Sequence, residues 1–357
     1  MGCMNSKPKN SAQPPSTARY NEPNYTGLTH TMDNGGFSGQ PPRRPSTQST
    51  TRNPRSTAGA STVSSSRAAS DKCFPELVQF RLEESEVLLT RKVSSGAFGV
   101  VWLGHYHGHP VAVKRMIDGE DEAISFAREI ETMSRLTHPK IVRFIGCTWT
   151  NKKDLGGVSE YMDGGDVRTL LETRKVELSW QREKISIAID IAEALAYMHS
   201  RSPKVIHRDL KSRNVLLNSD MVAKLSDFGL SRNRSYEETL TAGVGTVRWT
   251  APEVMLGDNY SEQADVYSFG VVLSELDTRE IPFEEKSSRT GASGAPDMAI
   301  VIKVAKGELR PSFAPDCPDV ILRIARACLQ FDPALRPDSE SAVQMLKDAR
   351  AQLQSTS

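Results

Sequence analysis

Asp209, Lys211 and Asn214 put a carboxylate, a cation and a carboxamide within six residues, and Asp227 follows thirteen residues after Asn214. They stand in His207-Arg208-Asp209-Leu210-Lys211-Ser212-Arg213-Asn214 and in Asp227-Phe228-Gly229. A carboxylate in such a set can orient a hydroxyl and take its proton, and a lysine beside it can offset charge building on a transferring group. An amide oxygen and a second carboxylate suit magnesium, a hard cation that prefers oxygen. Transfer of a phosphoryl group to a hydroxyl needs these parts. A polar turn between two buried strands is the bland alternative, and it leaves the other motifs of the chain unexplained.

Such a set must be held against a phosphate-binding element. Val93-Ser94-Ser95-Gly96-Ala97-Phe98-Gly99-Val100-Val101 reads as a strand, a tight glycine turn and a second strand ending in Trp102-Leu103. Backbone approaches phosphates closely only where no Cβ intervenes, which is the use of Gly96 and Gly99. Alone, the loop fits an ordinary hairpin turn as well. Its value comes from Val111-Ala112-Val113-Lys114, a β-branched strand that ends in a lysine just downstream. Between Gly119 and Leu136, Phe126, Ala127, Ile130, Met133 and Leu136 recur at intervals of three to four, which predicts a helix with one buried stripe. Glu129 shares a face with Met133, whereas Glu131 is turned about 200° away from Glu129 and reads as a solvated charge.

In this order the motifs resemble the eukaryotic protein kinases, over roughly Glu86 to Leu346. The resemblance implies an α+β, bilobal protein kinase fold, with a small β-rich N-lobe at about 86–160 and a larger helical C-lobe at about 161–348. It implies use of ATP and Mg2+ on protein hydroxyls. Asp209 would orient the acceptor, Lys211 would stabilise developing charge, and Asn214 and Asp227 would bind the metal. ATP would lie against Val93, Ser94, Gly96, Gly99, Val101, Ala112, Lys114, Glu129, Ser159, Glu160, Met162, Asp166 and Leu216. Ser94 replaces the first glycine of the family's loop. Lys114 would grip the phosphates, with Glu129 holding it in place. Val158-Ser159-Glu160-Tyr161-Met162-Asp163-Gly164-Gly165-Asp166 resembles the gatekeeper and hinge, where backbone around Glu160 and Met162 bonds the base. The small Ser159 predicts an open back pocket. Asp166 reads both as an acceptor for a ribose hydroxyl and as the N-cap of a helix starting at Val167.

The same resemblance gives Gly245 to Glu253 as the close of an activation segment, and Glu253 with Arg336 as a buried salt bridge. Asp265 would brace the catalytic loop. His207, Phe228, Met133 and Phe144 would form an apolar spine, His207 being a packed residue rather than an acid or base. Thr246 would bond Asp209 and Lys211. Arg208 would pair with a phosphorylated residue of the segment, the candidates being Ser235, Tyr236, Thr239 and Thr241. Lys211 and Thr246 follow Ser/Thr kinases, while Arg248-Trp249-Thr250 and the run from Asp265 to Gly270 look like tyrosine kinases. This mixture resembles the tyrosine-kinase-like group, whose members phosphorylate serine and threonine. Tyrosine or dual specificity is one rival reading. A catalytically silent scaffold is another, although pseudokinases usually lack one of Lys114, Asp209 or Asp227. Ser274 stands where the family's helix usually carries tryptophan.

Net charge is +1 over 357 residues, but residues 1–70 hold eight Lys/Arg against two Asp/Glu. That stretch, rich in Ser, Thr, Pro, Asn and Gly, cannot bury enough surface to offset its ordering entropy, so residues 1–73 are expected to be a disordered tail. Its basic residues are dispersed, which argues against a nucleic-acid partner. Pro41-Pro42-Arg43-Arg44-Pro45 holds a PxxP core that fits an SH3 ligand, with chance in a proline-rich tail as the alternative. Lys286 to Pro296 reads as a second flexible piece. Met1-Gly2-Cys3-Met4-Asn5-Ser6 fits N-myristoylation of Gly2, with Cys3 an adjacent palmitoyl acceptor. It is similar to the doubly acylated start of the Src-family kinases, although no SH3 or SH2 domain follows. Five scattered cysteines without metal-ligand spacing, no signal peptide and no long apolar run predict a reduced, cytosolic protein held on the cytoplasmic face of a membrane.

Overall fold

A computed structural model describes residues 70–96, 99–116, 120–228, 246–258, 260–283 and 297–355. Gly2, Cys3, Pro42 to Pro45, Ser235, Tyr236, Thr239, Thr241 and the 286–296 piece lie outside the described residues.

Five antiparallel strands form the first sheet: β1 (Val87–Gly96), β2 (Gly99–Tyr106), β3 (His109–Arg115), β4 (Phe144–Thr148) and β5 (Gly156–Glu160), in the order β1-β2-β3-β5-β4. Side chains alternate between the two faces of a strand. Val111 and Val113 of β3 therefore pack with Val87 and Val158 on one side. Ala112 and Lys114 look the other way, level with Ser159 and Gly157 of β5, and line a cleft. The helix α1 (Glu120–Ser134) buries Ala123, Phe126, Ala127 and Ile130. It packs on β4 and on a 3₁₀ turn, Pro75–Phe80, that precedes the sheet. The described residues begin at Ser70, and Phe74 and Leu77 find an apolar seat against α1 with Cys73 packed beside them.

A second, three-stranded sheet pairs β6 (Gly165–Asp166), β7 (Val215–Leu217) and β8 (Ala223–Leu225) beside the helical lobe. That lobe comprises α2 (Val167–Thr173), α3 (Glu183–His199), α4 (Pro252–Met255), α5 (Glu262–Thr278), α6 (Asp297–Ala305), α7 (Asp319–Cys328) and α8 (Ser339–Ser355). A helix that is apolar nearly all round has to sit in the interior. The runs Ile185 to Leu195 and Val266 to Leu276 make α3 and α5 such helices, and both are covered by neighbours, α3 by α8 and α5 by α7. Gly270 makes the second contact possible: a Cβ there would lie 2.8 Å from Cγ of Leu329. The architecture is the α+β, two-lobed one, a β-sheet lobe followed by a helical lobe. Among the described residues no helix is long and apolar enough to cross a membrane.

Candidate active site

The cleft between the lobes has an inner part of about 370 Å³ and an outer part of about 230 Å³ that share Ser94, Lys114, Glu129 and Asp227. Val93, Val101, Ala112, Ser159, Glu160, Met162, Asp166 and Leu216 line the inner part. Gly96, Gly99, Asp209, Lys211 and Asn214 line the outer one. Gly99 has φ +116°, and a Cβ on it would sit 2.3 Å from the carbonyl oxygen of Arg115, so no other residue fits that turn. A Cβ on Gly96 would meet nothing within 4 Å, so the space it leaves belongs to the cleft. Behind Ser159 the inner part continues past Phe126, Ile130, Met133 and Phe144.

β3 and α1 together place a cation over this space. Lys114 Nζ donates to Oε1 of Glu129 at 3.0 Å and to Oδ1 of Asp227 at 2.7 Å. Burial opposes the charge on Lys114, but the two carboxylates more than offset it and raise its pKa above the ordinary lysine range. Lys114 in turn holds the carboxyl of Asp227 below the usual carboxylate range. Glu131 points away and pairs with Arg135 at 2.5 Å along the helix. Asp166 caps α2, accepting from the Thr169 N–H at 2.9 Å, and lines the cleft as well.

Below Lys114, Asp209 accepts from Lys211 Nζ at 3.1 and 3.0 Å and from Asn214 Nδ2 at 3.0 Å. Asn214 also donates to the Asp209 carbonyl at 2.7 Å, so its amide oxygen is the atom left for a cation. With the carboxylate of Asp227, that donor set matches a hard divalent ion. Arg208 and Asp227 have φ of 67° and 54°, left-handed backbone that costs side-chain-bearing residues about 1–3 kcal/mol each. The strain at Arg208 is held by Asp265 on α5, which is 1% exposed and accepts from the N–H groups of His207 at 2.7 Å and Arg208 at 3.0 Å.

His207 is wholly buried, and burial lowers its pKa, so its imidazole is neutral. The Asp209 N–H donates to Nδ1, so the network puts the ring proton on Nε2, which faces the Ser226 carbonyl at 3.1 Å. Its ring lies 5.3 Å from that of Phe228. Of the other two spine residues, Met133 packs with the helical lobe and Phe144 with the small-lobe cluster, edge-on to Phe80. Glu253 and Arg336 form a two-pronged pair at 2.6 and 2.8 Å. The backbone of Thr246 opens the 3₁₀ turn Thr246–Trp249. Ser274 is buried, its hydroxyl bonded to the Val271 carbonyl one turn earlier.

Several supports carry no motif. His199, at the end of α3, bridges Asp265 and Ser339 at 3.0 Å each. Glu160 ties the hinge to both neighbours, its carboxylate accepting from the Arg143 N–H and from Lys224 Nζ, each at 2.7 Å. Glu275 accepts from Ser212 in the catalytic loop and from the Trp249 indole, both at 2.6 Å, with Arg168 3.5 Å away. Burial pushes its carboxyl up to about 6. A lone acid inside the apolar run of α5 was the one signal in the sequence that could have flagged it.

Comparison with known proteins agrees with this geometry. The chain is 37% identical over 273 residues to the probable serine/threonine-protein kinase drkC of Dictyostelium discoideum, covering 74% of this chain and 35% of that protein. It is 33% identical over 269 residues to drkB of the same organism, covering 74% and 37%. The putative serine/threonine-protein kinase/receptor R826 of Acanthamoeba polyphaga mimivirus is 31% identical over 273 residues, covering 76% and 16%. The chain therefore spans well under half the length of these curated relatives. Residues 87–346 match the family described as protein tyrosine and serine/threonine kinase, and the chain belongs to that family.

Proposed function

We propose that the protein is an ATP- and magnesium-dependent serine/threonine protein kinase of the tyrosine-kinase-like group. The observation that carries this reading is Lys114 joined at once to Glu129 and Asp227, above a cleft floor made of Asp209, Lys211 and Asn214. ATP supplies the transferable phosphoryl group, and magnesium screens its charge. Glu129 fixes Lys114 so that the ammonium meets phosphate oxygens, and Asn214 and Asp227 supply oxygens to the cation. Asp209 is held by Lys211 and Asn214 so that one carboxylate oxygen can accept the proton of a protein hydroxyl. Lys211 stays beside the oxygen that gains charge. Lys211 and Thr246 support serine and threonine as acceptors, as does the likeness to the probable serine/threonine-protein kinases above.

Phosphorylation between Asp227 and Glu253 is the proposed switch, at Ser235, Tyr236, Thr239 or Thr241. In its favour, the buried Nε of Arg208 has no hydrogen-bond partner among the described residues, while the side chain stands beside the catalytic loop. A phosphate would give it a charge-assisted partner. With Mg-ATP and a peptide library, the products should be phosphoserine and phosphothreonine, and phosphatase-treated enzyme should be slower. Silence would favour the scaffold reading, phosphotyrosine as main product would overturn the specificity, and unchanged rates after phosphatase would remove the switch.

Membrane attachment through acylated Gly2 and Cys3 belongs to the same proposal, supported by the Met-Gly-Cys start with Ser6. One myristoyl chain gives only marginal binding, around 10⁴ M⁻¹, so Cys3 would supply the second anchor. Gly2→Ala should release the protein wholly to the soluble fraction, and Cys3→Ser should leave a weakly bound population, with kinase activity unchanged in both. Firm membrane retention of Gly2→Ala on fractionation would mean that another element is the anchor.

A further inference from the structure

The segment Ser70–Arg81 precedes the family-matched residues 87–346, yet it is built into the small lobe. Phe74 and Leu77 are 3% and 0% exposed, and they share one cluster with Ala123, Phe126, Ala127 and Ile130 of α1. The segment is also fastened to Trp149, the residue directly after β4. The Phe74 ring meets Trp149 edge-on at 5.8 Å, and the Trp149 indole N–H donates to the Ser70 carbonyl at 2.8 Å. Arg81 lies 4.5 Å over the same indole, donates to the Trp149 carbonyl at 2.6 Å and pairs with Asp71. The Leu82 N–H then donates to the Cys147 carbonyl at 2.8 Å.

α1 is therefore gripped between the sheet and this segment, and the grip acts on the face that adjoins Glu129. Phe126 and Ile130 flank Glu129 in sequence, and Phe126 reaches the cleft, its ring centroid 5.5 Å from Lys114 Nζ. Gly157 carries no side chain, and a Cβ there would lie 3.2 Å from the Phe126 ring tip, so α1 rests close on β5, while Phe74 and Leu77 pack in the same cluster as Phe126 and Ile130. An ion pair at 3.0 Å tolerates little helix movement, since charge-assisted hydrogen bonds weaken steeply with distance and misalignment.

We propose that Phe74 and Leu77 are positioning residues for the reaction: they hold α1 at the distance at which Glu129 reaches Lys114. The proposal rests on the kinase reading of the cleft. It makes the pre-sheet segment a built-in activator, because whatever loosens it lets α1 swing outward and lowers turnover without touching a cleft residue.

The test uses the full chain, with Phe74→Ala, Leu77→Ala and the milder Phe74→Leu and Leu77→Val, alone and combined with Glu129→Gln. Coupling between residues in one packed unit commonly amounts to a several-fold or larger effect, so Phe74→Ala should lower kcat about ten-fold. In the Glu129→Gln background the same change should add less than two-fold, because the pair it protects is already gone. Phe74→Leu should recover most of the loss. Hydrogen exchange, which does not depend on turnover, should show residues 120–134 exchanging faster in Phe74→Ala while β7 and α5 are unchanged. Equal fold-losses in both backgrounds, or unchanged exchange in α1, would overturn the clamp. A wild-type enzyme silent with Mg-ATP would instead sink the kinase reading, and the exchange measurement would still decide the clamp.

Discussion

Asp209→Asn should bind ATP as the wild type does and turn over about 10²–10⁴ times more slowly, the usual contribution of a positioned base. Lys114, Glu129 and Asp227 are untouched by the change, so the phosphate end of the cleft keeps its contacts. The amide can still accept from Lys211, but its nitrogen cannot take up a proton, and it would face either Lys211 Nζ or Asn214 Nδ2, each now within 3.1 Å of a carboxylate oxygen. Both neighbours are donors there, so one contact becomes a repulsion and the side chain turns away from the acceptor. Measured kcat and nucleotide affinity separate the two effects. A variant retaining a tenth of the wild-type rate would remove Asp209 from the role of base.

Arg336→Ala should cost about 3–5 kcal/mol of stability, the usual penalty for leaving a buried partner uncompensated. The Arg336 side chain is 0% exposed and holds both oxygens of Glu253, the carbonyls of Gln263, Gln330 and Phe331, and the face of Tyr267 at 5.1 Å. For a domain of this size each kcal/mol shifts Tm by about 2–4 °C, so a fall on the order of 10 °C is expected by scanning fluorimetry. Replacing both partners at once, Glu253→Leu with Arg336→Met, should recover part of it, because no charge is then stranded. A single-variant shift under about 2 °C would mean that water reaches Glu253 and the pair is not the lock that its burial implies.

Asp209, Lys211, Asn214 and Asp227 were legible because the chemistry demands them close together and the chain supplies them in two short segments. Glu129 was legible for a different reason: helical periodicity alone separates it from Glu131, and the structure gives the two glutamates different partners. Contacts between distant parts of the chain were legible only where the family resemblance supplied them, as for Glu253 with Arg336 and Asp265 with the catalytic loop. His199, Asp265 and Ser339 come from three helices, and nothing in the local pattern around Ser339 says that it steadies a histidine 140 residues earlier. Phe74 and Leu77 escaped notice because a single 3₁₀ turn is too short to show periodicity. The hinge contact of Glu160 with Lys224 depends on how the second sheet lies against the first, which no spacing encodes.

The grip of Ser70–Arg81 on α1 also separates two boundaries that are easily taken as one. The family's shared pattern starts at Val87, but the packed small lobe includes residues from Ser70 on, seventeen residues earlier. Cut at Val87, the chain would keep every residue that touches the cleft and would present Phe126, Ile130 and Trp149 to water. Such a fragment would hold every cleft residue and yet be incomplete as a folding unit, with a sticky patch on its small lobe and Glu129 less firmly held against Lys114.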